Sequence, residues 1–151
     1  MKKENNNVRK NFLCNAIGST VNASISLLFM IIVTRINGTD KAGIFTFAFS
    51  TSCLLQVIGL FAGRAYQVTE ANENYKNKVF IYNRIISCLI MLIISIFFII
   101  IKGYNSYKCS IIFLLVIYKM IEAFSEVLYG IIQKKDELYK VGISLFLKGV
   151  L

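Results

Sequence analysis

The sequence has no proline, no tryptophan and no histidine, and only 9 glycines in 151 residues. Without proline, nothing removes a backbone N–H from inside an apolar stretch, so such stretches are free to run as unbroken helices. Without histidine, the four cysteines (Cys14, Cys53, Cys88, Cys109) have no nitrogen ligand to complete a metal site. They fall one to a segment or its edge, with no Cys-x-x-Cys pair, and read as small apolar fillers. A Walker-type Gly-rich Lys loop, His-Glu-x-x-His and Gly-x-Ser-x-Gly are also missing. Nothing argues for covalent chemistry, so the expectation is a protein that is not an enzyme and holds no metal or cofactor.

Acidic residues are scarce, 8 against 17 Lys and Arg, which leaves a net charge of +9. That balance raises nucleic acid as a partner, but the basic residues sit almost wholly between apolar blocks. Hydrophobic residues make up 56% of the chain and the mean hydropathy is +0.64. This is too apolar for the usual polar surface of a soluble domain, and the excess is expected to face lipid.

Residues 1–11 are polar and basic, and form a cytoplasmic N-terminal segment in this reading. Residues 12–33 carry no charge, and at about 1.5 Å rise per residue they cross a hydrocarbon core about 30 Å thick. The block is too long for a signal peptide, and no small-x-small site follows it. Thr34–Lys41, with its Asn37-Gly38 turn signal, is the first expected connection, and residues 43–63 are the second span. A charged connection over residues 64–84 precedes a third span at 85–101, a nearly pure Ile/Leu/Phe block. Residues 110–132 are long enough for a fourth span but hold Lys119, Glu122 and Glu126. A fifth apolar run starts at Val141 and stops at Leu151, as if cut inside a helix. The expected fold class is therefore all-α, a polytopic transmembrane helix bundle of four complete spans plus the start of a fifth. Residues 12–151 would be the N-terminal part of a longer transporter bundle.

Lys and Arg in the short connections set orientation. The N-terminus and the second and fourth connections carry 11, and the first and third carry 4, which places the former set and the N-terminus in the cytoplasm. The positive charge is thereby explained without nucleic acid. Tyr66, Tyr82, Tyr104, Tyr107 and Tyr139 cluster near the expected span ends, as an interfacial belt would.

On helix four, Lys119, Glu122, Glu126, Tyr129 and Gln133 fall within roughly an 80° arc. Three ionisable groups near the centre of a span cost about 8–10 kcal/mol to insert, more than the helix's apolar residues return. Neighbouring helices or a water-filled cavity must take that stripe. Lys119 can pair with Glu122 one turn away, which leaves Glu126 short of a partner and makes it the first candidate for a proton or cation coupling site. The competing reading is a buried ion cluster that merely fixes packing.

Helix one shows a milder stripe, Asn15, Ser19, Asn22 and Ser26 within roughly a 60° arc, suited equally to a cavity wall and to close helix packing. Gly59-x-x-x-Gly63 in helix two reads as a packing motif. Arg64 follows it at the expected cytoplasmic mouth, where its planar fork suits a phosphate; from position alone a positive-inside anchor is favoured.

Three stretches carry a family resemblance: NFLCNAIGSTVNASISLLFMIIVTRINGTDKAGIFTFAFS from Asn11, GLFAGRAYQVTE over residues 59–70, and VLYGIIQKKDELYKVGISLFLKGV over residues 127–150. Together they resemble the N-terminal part of Wzx-type polysaccharide biosynthesis flippases of the multidrug/oligosaccharidyl-lipid/polysaccharide exporter superfamily. The resemblance implies a bundle of about 12–14 helices in two pseudo-symmetric halves around a cationic cavity. It further implies a multi-pass protein of the bacterial inner (plasma) membrane that flips undecaprenyl-pyrophosphate-linked oligosaccharide outward, in O-antigen and related polysaccharide biosynthesis, without ATP. An ion gradient, proton or sodium, would supply direction. Arg64 then rises from anchor toward pyrophosphate ligand, and Asn15 and Asn22 toward cavity wall, whereas Lys119, Glu122 and Glu126 match no motif of that family. The chain spans about a third of the length such proteins have, so the remainder of the same protein is an expected partner. Alternatives are a drug or metabolite exporter of the same superfamily and a membrane scaffold in a glycan assembly complex.

Overall fold

The computed structural model describes residues 2–61, 63–69 and 77–150. The expected connection charges Glu70, Glu73 and Lys76 lie outside the described residues, as do the side chains of Lys2, Lys3 and Ser26. Among the described residues the chain is all-helical, with no strand: α1 (Lys2–Leu60), α2 (Gly63–Thr69), α3 (Asn77–Lys102), α4 (Ser106–Gln133) and α5 (Leu138–Val150).

The expected loop at 34–41 is instead a single non-helical residue inside α1, Gly38, at φ 79° and ψ 174°. A residue without Cβ reaches this backbone conformation freely, and with no proline nearby the polar flanks stay helical. The break reverses the chain. Phe29 and Phe45 stack across it with ring centroids 6.2 Å apart, whereas 16 residues of straight helix would separate them by about 24 Å. Helix α1 is therefore two arms folded against each other.

Contacts along the helices give their directions. Asn11 Nδ2 donates to the Asp136 carbonyl, and Asn11 Oδ1 accepts from the Tyr139 amide. Further on, Gly18 meets Gly142, and Val21 and Ile25 meet Gly149. The first arm of α1 and α5 thus run parallel. Their crossing is backbone on backbone, because a Cβ on Gly18 would strike the Gly142 carbonyl, and one on Gly142 would strike the Cys14 carbonyl. The second arm runs alongside α4, with Phe47 edge-on to Tyr104 at 5.6 Å near one end and Gln56 at Glu122 further along. Helix α3 runs opposite to both: Arg84 reaches Gly59 and Leu60, while Phe98 lies 6.3 Å from Tyr104. Tyr129 bonds Ser144 across the tight turn between α4 and α5. Successive long segments therefore alternate in direction.

By length and composition, α1 and α3 are apolar enough to cross a membrane. Helix α4 has the length, but Lys119, Glu122 and Glu126 interrupt it. The buried core is small, centred on Ala48, Leu55, Met91, Ile112 and Val116, with a second cluster of Tyr129, Val141 and Leu145. Large apolar side chains such as Phe29, Ile32, Ile93, Phe97 and Ile100 point outward.

Candidate functional site

The second arm of α1 ends at Leu60, where Phe61 adopts φ 38°, a left-handed value uncommon for a residue with a Cβ. Arg84 stabilises this end. Its Nη1 donates to the carbonyls of Gly59 and Leu60, both at 2.6 Å, two of the acceptors that a helix terminus leaves open. The chain restarts as α2 at Gly63, which places Arg64 over α4.

On α4 the stripe forms the opposing wall. Arg64 Nη1 donates to Glu126 at 2.7 Å, and its Nε and Nη2 donate to Gln133 Oε1 at 3.3 and 3.0 Å. One turn back, Glu122 accepts from Lys119 at 2.8 Å, from Lys148 of α5 and from Gln56 of α1 at 3.3 Å. Between these groups lies an open cleft of about 460 Å³, lined by Gln56, Arg64, Arg84, Lys119, Glu122 and Glu126 together with Leu60, Gly63 and Ala65. Counting Lys148 on Glu122, the cleft and its border hold four cations against two anions. It is a positively biased pocket with fixed guanidinium and ammonium donors, suited to an anion with several acceptor oxygens.

Lys119, Glu122, Glu126 and Arg64 converge here. Lys119 and Glu122 pair as expected. Glu126, expected to lack a partner, has one in Arg64, because the break at Phe61 turns α2 back across α4. The Arg64 fork, expected to be open to a phosphate, has all three nitrogens engaged. Asn15 and Asn22 lie on the first arm of α1, half-buried, and are not among the residues that line the cleft. The face of that arm turned to α5 is made by Cys14, Gly18, Val21 and Ile25, with the Asn15 amide nitrogen also against Gly142. Gly59 does serve packing: a Cβ there would stand 2.8 Å from Met91 Sδ.

Sequence reasoning missed Gln56, Arg84 and Lys148. Arg84 reads as one more connection charge, yet α3 begins at Asn77 and buries it. Lys148 interrupts an apolar run, the same signal that marked α4. Gln67 is also fully buried, with Nε2 donating to the Val127 carbonyl at 3.4 Å and Oε1 without a donor among the described residues. Outside the apolar segments, hydrogen bonding to Glu137 raises the pKa of Lys140, an exposed pair with no part in the cleft. No group of His, Cys, Asp and Glu suited to a metal ion occurs among the described residues. No protein-family model, curated protein or solved structure matches the chain.

Proposed function

We propose that the chain is the N-terminal part of a multi-pass membrane exporter that flips lipid-linked oligosaccharide across a bacterial plasma membrane by alternating access. The observation that carries the reading is the cationic cleft, which gathers Arg64, Arg84, Lys119 and Lys148 from four helices of an otherwise apolar bundle. Buried charge on this scale in such a bundle is costly and marks a path for a polar or charged cargo. A pyrophosphate joins several acceptor oxygens to negative charge, which matches the guanidinium and ammonium donors on the wall. The resemblance of residues 11–150 to Wzx-type flippases supports the same cargo.

Four crossings and the start of a fifth fit the alternating directions of the two α1 arms, α3, α4 and α5. In this reading α4 crosses because its ionised stripe meets Arg64, Lys148 and Gln56 instead of lipid. The test is a strain carrying Arg64→Ala in the complete gene. Loss of surface glycan with build-up of the lipid-linked precursor supports flipping. Lost glycan without precursor build-up favours a scaffold for glycan assembly, and normal glycan with altered drug efflux favours an exporter of small molecules.

A further inference from the structure

The three guanidinium nitrogens of Arg64 are already bound, one by Glu126 and two by Gln133. Gln133 is neutral and yields an acceptor at small cost, but Glu126 occupies Arg64 with a full negative charge inside the cleft. The pair is only partly exposed, 27% and 25% for the two side chains, so solvent screens it incompletely. Glu122 differs, because Lys119, Lys148 and Gln56 hold it together and removing any one leaves two. Among the described residues Glu126 makes one ion pair, with Arg64, and both side chains line the cleft, where Arg84 is a further cation within electrostatic reach of the carboxylate.

We propose that Glu126 is an internal competitor for the anion site: it stands where a phosphate oxygen of the cargo binds, holds Arg64 in place while the cleft is empty, and is displaced when the anion arrives. This rests on the reading of the cleft as an anion site and adds its regulation. The displaced carboxylate repels the bound anion, so the same residue that preorganises Arg64 weakens retention of the ligand and favours its release. Removing the charge of Glu126 at constant shape therefore tightens binding and slows turnover.

The test uses the full-length protein purified in detergent, with inorganic pyrophosphate as probe and calorimetry as readout, comparing wild type, Glu126→Gln and Arg64→Ala. The expected result is binding to wild type, about five- to tenfold tighter binding to Glu126→Gln, and loss of binding in Arg64→Ala. A second arm uses phosphatidylcholine vesicles doped with either undecaprenyl pyrophosphate or phosphatidylglycerol. Tightening of Glu126→Gln with free pyrophosphate and also with diphosphate-lipid vesicles, but not with phosphatidylglycerol vesicles, assigns the site to a lipid headgroup, and tightening with free pyrophosphate but with neither vesicle assigns it to a soluble phosphate. If Glu126→Gln binds no better than wild type while Arg64→Ala still abolishes binding, the competitor role is overturned and the anion site stands. If Arg64→Ala binds pyrophosphate as wild type does, the anion site itself is overturned.

Discussion

Arg84 on α3 closes the C-terminal end of α1, donating to the carbonyls of Gly59 and Leu60 at 2.6 Å each from a side chain that is 4% exposed. A guanidinium in this place satisfies helix-terminal acceptors and meets the negative end of the helix dipole. Arg84→Met removes both bonds but keeps much of the packing volume, and is expected to destabilise the bundle by about 2–4 kcal/mol. Arg84→Lys retains one charged donor and should recover about half of that. Thermal unfolding in detergent, followed by helical circular dichroism, measures both. Equal stability of wild type and Arg84→Met would mean that water caps α1 instead.

Glu122 ties α4 to α5 through Lys148 and to its own helix through Lys119. Glu122→Gln leaves two ammonium groups facing each other without a counter-charge, and Lys148→Met leaves Glu122 with Lys119 and Gln56. The first change is therefore expected to be the more damaging. The double variant should be less destabilised than the sum of the two, with a coupling of about 1–2 kcal/mol. Strict additivity would show that the two side chains do not meet.

If the chain works as proposed, export falls in Glu126→Gln while membrane insertion and fold are kept. The substitution removes a charge from a half-buried position, so insertion becomes easier and not harder. In the proposed mechanism transport falls because the cargo is held instead of released. The check is glycan display beside the amount of protein in the membrane fraction, and wild-type display would remove Glu126 from the mechanism.

Much of this arrangement is written in local sequence, and some of it is not. The apolar blocks and the Asn37-Gly38 signal place the helices and the reversal in α1, because span length and freedom at positive φ are properties of adjacent residues. The spacing of Lys119, Glu122 and Glu126 puts them on one face for the same reason. What they meet is decided between helices. Arg64 reaches Glu126 only because Phe61 breaks the helix, and Phe61 itself carries no turn signal. Gly18 and Gly142 lie 124 positions apart in the sequence, and only the packed bundle shows that neither tolerates a side chain.

That crossing gives a direct prediction. Gly142→Leu places a side chain against the Cys14 carbonyl and the Asn15 amide nitrogen, which are backbone and cannot swing aside. The two helices must separate, at a cost of at least about 2 kcal/mol. Gly103→Ala is the control, since among the described residues nothing lies within 4 Å of a Cβ there and only its φ of 56° is strained. A crosslink between cysteines placed at Val21 and Gly149 should form in the parent and fade in Gly142→Leu. An unchanged yield would show that α1 and α5 do not cross at these glycines.

The alternation of helix direction and the bias of Lys and Arg make a joint prediction about sidedness. Single cysteines are introduced at Lys10, Asp40, Asn105 and Lys135 after the four native cysteines are replaced, and intact cells are treated with an impermeant maleimide. Asp40 follows the reversal in α1 and Asn105 precedes α4, so both lie at the end of the bundle remote from the N-terminus. They should label in intact cells, and Lys10 and Lys135 only after permeabilisation. Labelling of Lys10 and Lys135 alone would invert the orientation of the bundle. Labelling of Asp40 together with Lys10 would mean that the first arm of α1 does not cross, leaving α5 packed against a helix on the membrane surface and the ionised stripe of α4 without a bundle to shield it.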